Sequence, residues 1–139
     1  MTDSFDRALL LSGLEQAALV RSGQITAMEL VDAAMARIER LDAQVNAVVT
    51  KRYDEARTEA GRVDVSAPFA GVPLLMKDVG GEVAGVRHTE GSMLLRDYVS
   101  PEDGEMTKRL RAAGFIIIGK TNTNEFGVMP HAESRVHGA

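Results

Sequence analysis

Two short apolar runs, Val72 to Met76 and Phe115 to Ile118, constrain the fold of this chain more than any other feature. Gly71 to Met76 and Phe115 to Ile118 each read as a short buried strand. Between them lie a long glycine-containing excursion and a helix that Asp103 can cap, running to about Ala113, with Gly114 as its left-handed stop. Strand, excursion, helix and strand together suggest a crossover onto a parallel or mixed sheet. Such sheets put their sites at the carboxyl ends of strands. Lys77 and Lys120 both stand at such ends, so either is a candidate functional residue.

The segment before the first run reads as helical. Ser12-Gly13-Leu14-Glu15 has the spacing of a capping box, and a short helix to about Arg21 follows, closed by Gly23. Thr26-Ala27-Met28-Glu29 repeats the device; Leu30, Ala34, Ile38 and Leu41 then share one helical face. Asn46 to Thr50 reads as a brief extended stretch, and Tyr53 to Arg62 as a solvated helix ending near Gly61. No composition shift divides the chain. A helical lead-in over about 1–62 and the start of an α/β core over about 69–139 therefore read as parts of one domain.

A chain of 139 residues is long enough to bury about two-thirds of its unfolded surface. Only 4% of it is aromatic, so the core rests on aliphatic residues and seven Met, which suits α/β packing. The net charge of −4 and the scattered basic residues leave no stripe for a phosphate backbone, so direct nucleic-acid binding is not expected. With no cysteine, disulfides, thiolate metal sites and cysteine nucleophiles are excluded. The polar start Met1 to Asp6 and the short apolar run Ala8 to Leu11 predict neither a signal nor a membrane span, and a soluble, cytoplasmic protein is expected.

Three motifs occur in order: Gly71 to Asp78, Thr89-Glu90-Gly91-Ser92, and Ala113 to Phe126. Together they resemble the amidase signature family, serine hydrolases of carboxylic amides, over nearly the whole chain but only the front of such an enzyme. The resemblance implies an α/β fold, the N-terminal part of an amidase-signature fold with a mixed sheet flanked by helices, incomplete as given. It also implies a Ser-Ser-Lys apparatus, of which it carries over only the lysine, onto Lys77. Ser92, Ser100 and Ser134 lack Gly-Ser-Ser-Gly-Gly surroundings, so the isolated chain is expected to be inactive. Val79 departs from the Asn that many members, including the transamidosome subunit type, carry after the Lys-Asp pair.

A lysine closing a strand is either a solvated end or a catalytic amine. For the second role its pKa must fall from about 10.4 toward about 7 to 8, a shift of roughly 4 kcal/mol, which burial beside Leu75 and Met76 would favour. Asp78, on the opposite side of an extended chain, reads as structural. Gly80, Gly81 and Gly85 let the chain turn after the strand. By resemblance, Gly127, Val128 and Met129 pass near the acyl pocket and form a wall for the substrate.

Gly114 to Thr121 fits the phosphate-loop pattern letter for letter, but its variable residues Phe-Ile-Ile-Ile are themselves a buried strand, and nucleotide binding is rejected. Thr121 to Phe126 reads as a loop steadied by Asn and Thr side chains. His88, His131 and His137 have no metal-ligand companions at useful spacing and read as surface or loop histidines. No metal or cofactor is expected. The expected partners are a small amide substrate and the remainder of the amidase domain, or a partner chain that supplies the serines. The alternatives are a non-catalytic subunit or interaction module whose unpaired sheet edge invites association, including with a second copy, and, by resemblance, an amidotransferase subunit of the transamidosome type.

Overall fold

The computed structural model describes residues 2–138. Capping chemistry sets the early helices. After α1 (Thr2–Ala8), which no capping signal announces, Ser12 Oγ accepts the Glu15 amide at 3.3 Å while Glu15 Oε2 accepts the Ser12 amide at 2.8 Å, opening α2 (Gly13–Arg21). The same exchange between Thr26 and Glu29, at 3.1 and 2.8 Å, opens α3 (Ala27–Leu41). The expected face of α3 is buried at Leu30 and Ala34, joined by Val31 and Met35, whereas Leu41 in the last turn is 44% exposed.

By compactness the chain divides into two units. The first comprises the segment through Leu41, Arg52–Leu74 and Leu110–Ile118; the second comprises Asp42–Lys51, Leu75–Arg109 and the chain from Gly119 onward. In the first unit α3 packs against α1 and α4 (Tyr53–Ala60), and Gly61 caps α4. Arg52, only 6% exposed, donates to the Ile117 carbonyl at 2.5 Å and to Glu59 at 3.0 Å; Arg111 reaches the same Glu59 oxygen at 2.7 Å. Phe69 and Phe115 stack with centroids 4.5 Å apart.

Strands β1 (Val48–Lys51), β2 (Pro73–Lys77) and β3 (Ile116–Thr121) form a sheet in the order β1-β3-β2. β1 is antiparallel to β3, with Val48 opposite Thr121 and Lys51 opposite Gly119. β2 runs parallel to β3: Ile116 N donates to Val72 O at 2.9 Å, and Asp78 N donates to Thr121 O at 3.1 Å, so the partners advance together. The sheet is mixed, as expected. Its central strand β3 is buried from Ile116 through Lys120, so the Ile-Ile-Ile run is core and not an exposed phosphate loop, with Phe115 half-buried just before it.

Before β3, α5 (Glu105–Ala112) ends at Gly114, whose φ of +98° supplies the expected left-handed stop. Asp103 precedes the helix by two residues, and its Oδ1 accepts the Ala84 amide at 2.8 Å, tying the two ends of the excursion together. Further bonds fold that excursion on itself within the second unit: Thr107 Oγ1 donates to Glu82 O at 2.6 Å, Gly85 N to Ser100 O at 2.8 Å and His88 N to Tyr98 O at 2.9 Å. None of the helices among the described residues is long and apolar enough to cross a membrane.

Candidate active site

The end of β2 separates two adjacent charges. Met76 and Asp78 are buried while Lys77 is exposed, so Lys77 and Asp78 point to opposite sides, as an extended chain requires. The expected burial of Lys77 beside Leu75 and Met76 is therefore not met: Leu75 is half-buried, Met76 faces the other way, and the amine lies open. The chain then folds back tightly. A Cβ on Gly81 would lie 2.7 Å from the Lys77 carbonyl oxygen, so this turn requires glycine by close approach.

Behind Lys77 lies a buried network that draws Asp78, Thr89 and Lys120 from the three sequence motifs and adds His88 and His137. The Asp78 carboxylate, 0% exposed, accepts Lys120 Nζ at 2.7 Å and Thr89 Oγ1 at 2.5 Å, with the Thr89 amide at 3.2 Å and His137 Nε2 at 2.9 Å. Lys120 Nζ, also 0% exposed, lies 2.6 Å from His88 Nδ1 and donates to Arg87 O at 3.3 Å. An ammonium directed at Nδ1 leaves the His88 proton on Nε2, which faces Glu90 Oε1 at 2.9 Å. His88 and His137 thus have buried side chains in the network and are not surface groups, while His131 is exposed. Glu82, His88 and Glu90 do bring ligand atoms within 4.8 Å of one another, contrary to the expectation from spacing, and the positive charge beside them is Lys120.

Burial works against both charges of the pair. It would raise the Asp78 carboxyl, but the bonds from Lys120, Thr89 and His137 outweigh it and hold the group below the usual carboxylate range. Burial pulls the Lys120 ammonium down, opposed by Asp78, Glu82 and Glu90. Because the folded Asp78 value lies below the unfolded value of about 3.9, its contribution to stability is present above about pH 4 and is lost as pH falls through the folded value. Acid titration of stability is expected to show this loss below about pH 4, and Asp78→Asn should flatten it; an unchanged acid limb would contradict the assignment.

The other expected residues gather at a second clamp. Ser92 Oγ donates to Glu125 Oε1 at 2.7 Å and accepts the Leu94 amide at 3.2 Å, so its hydroxyl serves the local structure. Gly91 combines a φ of +67° with a virtual Cβ only 2.7 Å from Asn124 O. Gly91→Ala is expected to destabilise the protein by about 3 kcal/mol, the sum of a left-handed alanine and backbone overlap. Urea denaturation measures it, and a loss under about 1 kcal/mol would refute the close approach. In the loop after β3, Thr123 N donates to Asn122 Oδ1 at 2.8 Å, and Asn124 Nδ2 donates to Met129 O. Gly127, Val128 and Met129 are exposed, at 76% for Val128 and 53% for Met129. A Cβ on Gly127 would lie 3.9 Å from Val79 Cγ2, so this turn stands beside the residue two positions after Lys77.

Residues 29–139 match the family described as Amidase, and the chain belongs to that family. It is 42% identical over 128 residues to a lipoamidase of Enterococcus faecalis, covering 91% of this chain and 18% of that protein. It is 36% identical over 145 residues to a glutamyl-tRNA(Gln) amidotransferase subunit of Streptomyces avermitilis, covering 99% of this chain and 29% of that one. The structure of 6-aminohexanoate cyclic dimer hydrolase complexed with substrate superposes with a TM-score of 0.88 at 36% identity, covering 94% of this chain and 27% of the hydrolase. The chain therefore spans less than a third of the length of each of these relatives.

Proposed function

We propose that this chain is the N-terminal portion of a single amidase domain that hydrolyses a carboxylic amide to an acid and ammonia or an amine by a Ser-Ser-Lys mechanism. The observation that supports it is the match of residues 29–139 to the amidase family, whose lysine the resemblance carries onto Lys77 at the end of β2. In its neutral form Lys77 takes the proton of a bridging serine, which deprotonates the nucleophilic serine for attack on the amide carbonyl. Lys77 then returns the proton through the bridging serine to the departing amine, and water releases the acid. No serine among these 139 residues has the glycine-rich surroundings of either role, so the chain alone does not turn over substrate. The exposed turn Gly127-Val128-Met129 contributes a wall of the acyl site.

The test is acyl transfer by the full-length protein. With an aliphatic amide and hydroxylamine it should yield the hydroxamate, because an acyl-serine intermediate partitions between water and the added nucleophile. Amide hydrolysis without hydroxamate would reject the covalent mechanism. The 36% identity to an amidotransferase subunit over 99% of this chain supports a second reading, a subunit that acts only with partner chains. Turnover by the full-length protein in isolation would exclude it.

A further inference from the structure

We infer that Asp78 and Lys120 are positioning residues for Lys77, an inference that rests on the proposed role of Lys77 as proton carrier. Lys77 and Asp78 are neighbours on opposite sides of the end of β2, so the backbone that orients one also orients the other. Asp78 has no freedom to turn. Its two carboxylate oxygens accept four donors, from Lys120, from the Thr89 hydroxyl and amide, and from His137. Its own amide is fixed to Thr121 O at 3.1 Å, one residue beyond Lys120 on the central strand. The Lys77 carbonyl is confined from the other direction by Gly81.

A buried ion pair of this kind is a poor source of net stability, because apolar residues of similar volume commonly do as well or better. What it supplies is a single geometry. Lys120 brings the ammonium that meets Asp78, and it is itself held by His88 Nδ1 at 2.6 Å and Arg87 O at 3.3 Å, with His88 steadied in turn by Glu90. The pair therefore ties the end of β2 to the end of β3 and to the loop at 87–90. A proton carrier misplaced by about 1 Å loses on the order of a hundredfold in rate, so a rigid support behind an exposed lysine has kinetic value.

The experiment uses the full-length protein and four variants: Lys77→Ala, Asp78→Asn, Lys120→Met and the double variant Asp78→Asn with Lys120→Met. For each, kcat, KM and Tm are measured on one amide. Asp78→Asn and Lys120→Met should each lower kcat at least tenfold with KM within about twofold, and each should lower Tm by leaving a buried charge unpaired. The double variant removes both charges, so Tm should recover while kcat stays low. Recovery of kcat together with Tm would mean that the pair is merely structural and would overturn the inference. Thr89→Val, which removes one bond to Asp78 and no charge, covers the case of insoluble charge variants: kcat should fall at least threefold with KM held, and an unchanged kcat would overturn the inference. If Lys77→Ala retains full activity, the proposed role of Lys77 fails. If Lys77→Ala is inactive while the double variant matches the wild type, only the positioning role fails.

Discussion

In the full-length protein, Lys77→Ala is expected to lower kcat for amide hydrolysis by about 10²- to 10⁴-fold, the usual contribution of a positioned proton carrier. The size follows from the chemistry. A serine hydroxyl is a weak nucleophile until a base removes its proton, and the amine product leaves poorly until the same proton is returned. In the proposed mechanism Lys77 performs both transfers, so its loss should affect acylation throughout. The fold should survive, because Lys77 is exposed at the end of its strand and its replacement opens no cavity in the core. Steady-state kinetics beside circular dichroism check both halves of the expectation. Retained turnover by a folded Lys77→Ala protein would remove Lys77 from the mechanism.

The largest stability effect is expected behind that residue. Lys120→Met should destabilise the protein by about 3 to 5 kcal/mol, because it leaves the Asp78 carboxylate buried without its cation. Thr89 and His137 still reach the carboxylate, yet neither brings the fixed charge of an ammonium. Removing both charges together should restore most of the loss, since the cost lies in the uncompensated partner and not in the absence of the pair. Urea denaturation of the wild type, the single variants and the double variant measures this as a coupling energy. A loss below about 1 kcal/mol for Lys120→Met would show that Asp78 is not dependent on it.

Much of the local structure is legible in the residues. Ser12 with Glu15, and Thr26 with Glu29, announce their helices because a cap and its partner lie three positions apart and need nothing from the rest of the chain. The Phe-Ile-Ile-Ile run is readable as a buried strand because no phosphate loop exposes such a surface, and Ser92 is readable as a structural residue. Opposite sides for Lys77 and Asp78 follow from the geometry of an extended chain alone. The helix before Ser12 is not legible, since the sequence there shows neither a capping-box spacing nor a clear apolar period. Asp103 reads as a helix cap because it precedes a helix, but the bond from the Ala84 amide, distant in sequence, to its Oδ1 could not be read there.

The two lysines mark the boundary between sequence and structure most clearly. Each follows an apolar run, and nothing local says which is buried. The residues alone establish that both stand at carboxyl ends of strands, that Asp78 turns away from Lys77, and that the motifs around them are those of the amidase family. Packing settles the rest. Strand order puts β3 in the middle of the sheet, so Lys120 is enclosed and must find a carboxylate, whereas Lys77 ends an outer strand and stays open. It also gathers Asp78, His88, Thr89, Lys120 and His137 from distant segments. A buried charge is stable only where its partners converge, and convergence belongs to the fold, not to the spacing of residues along the chain.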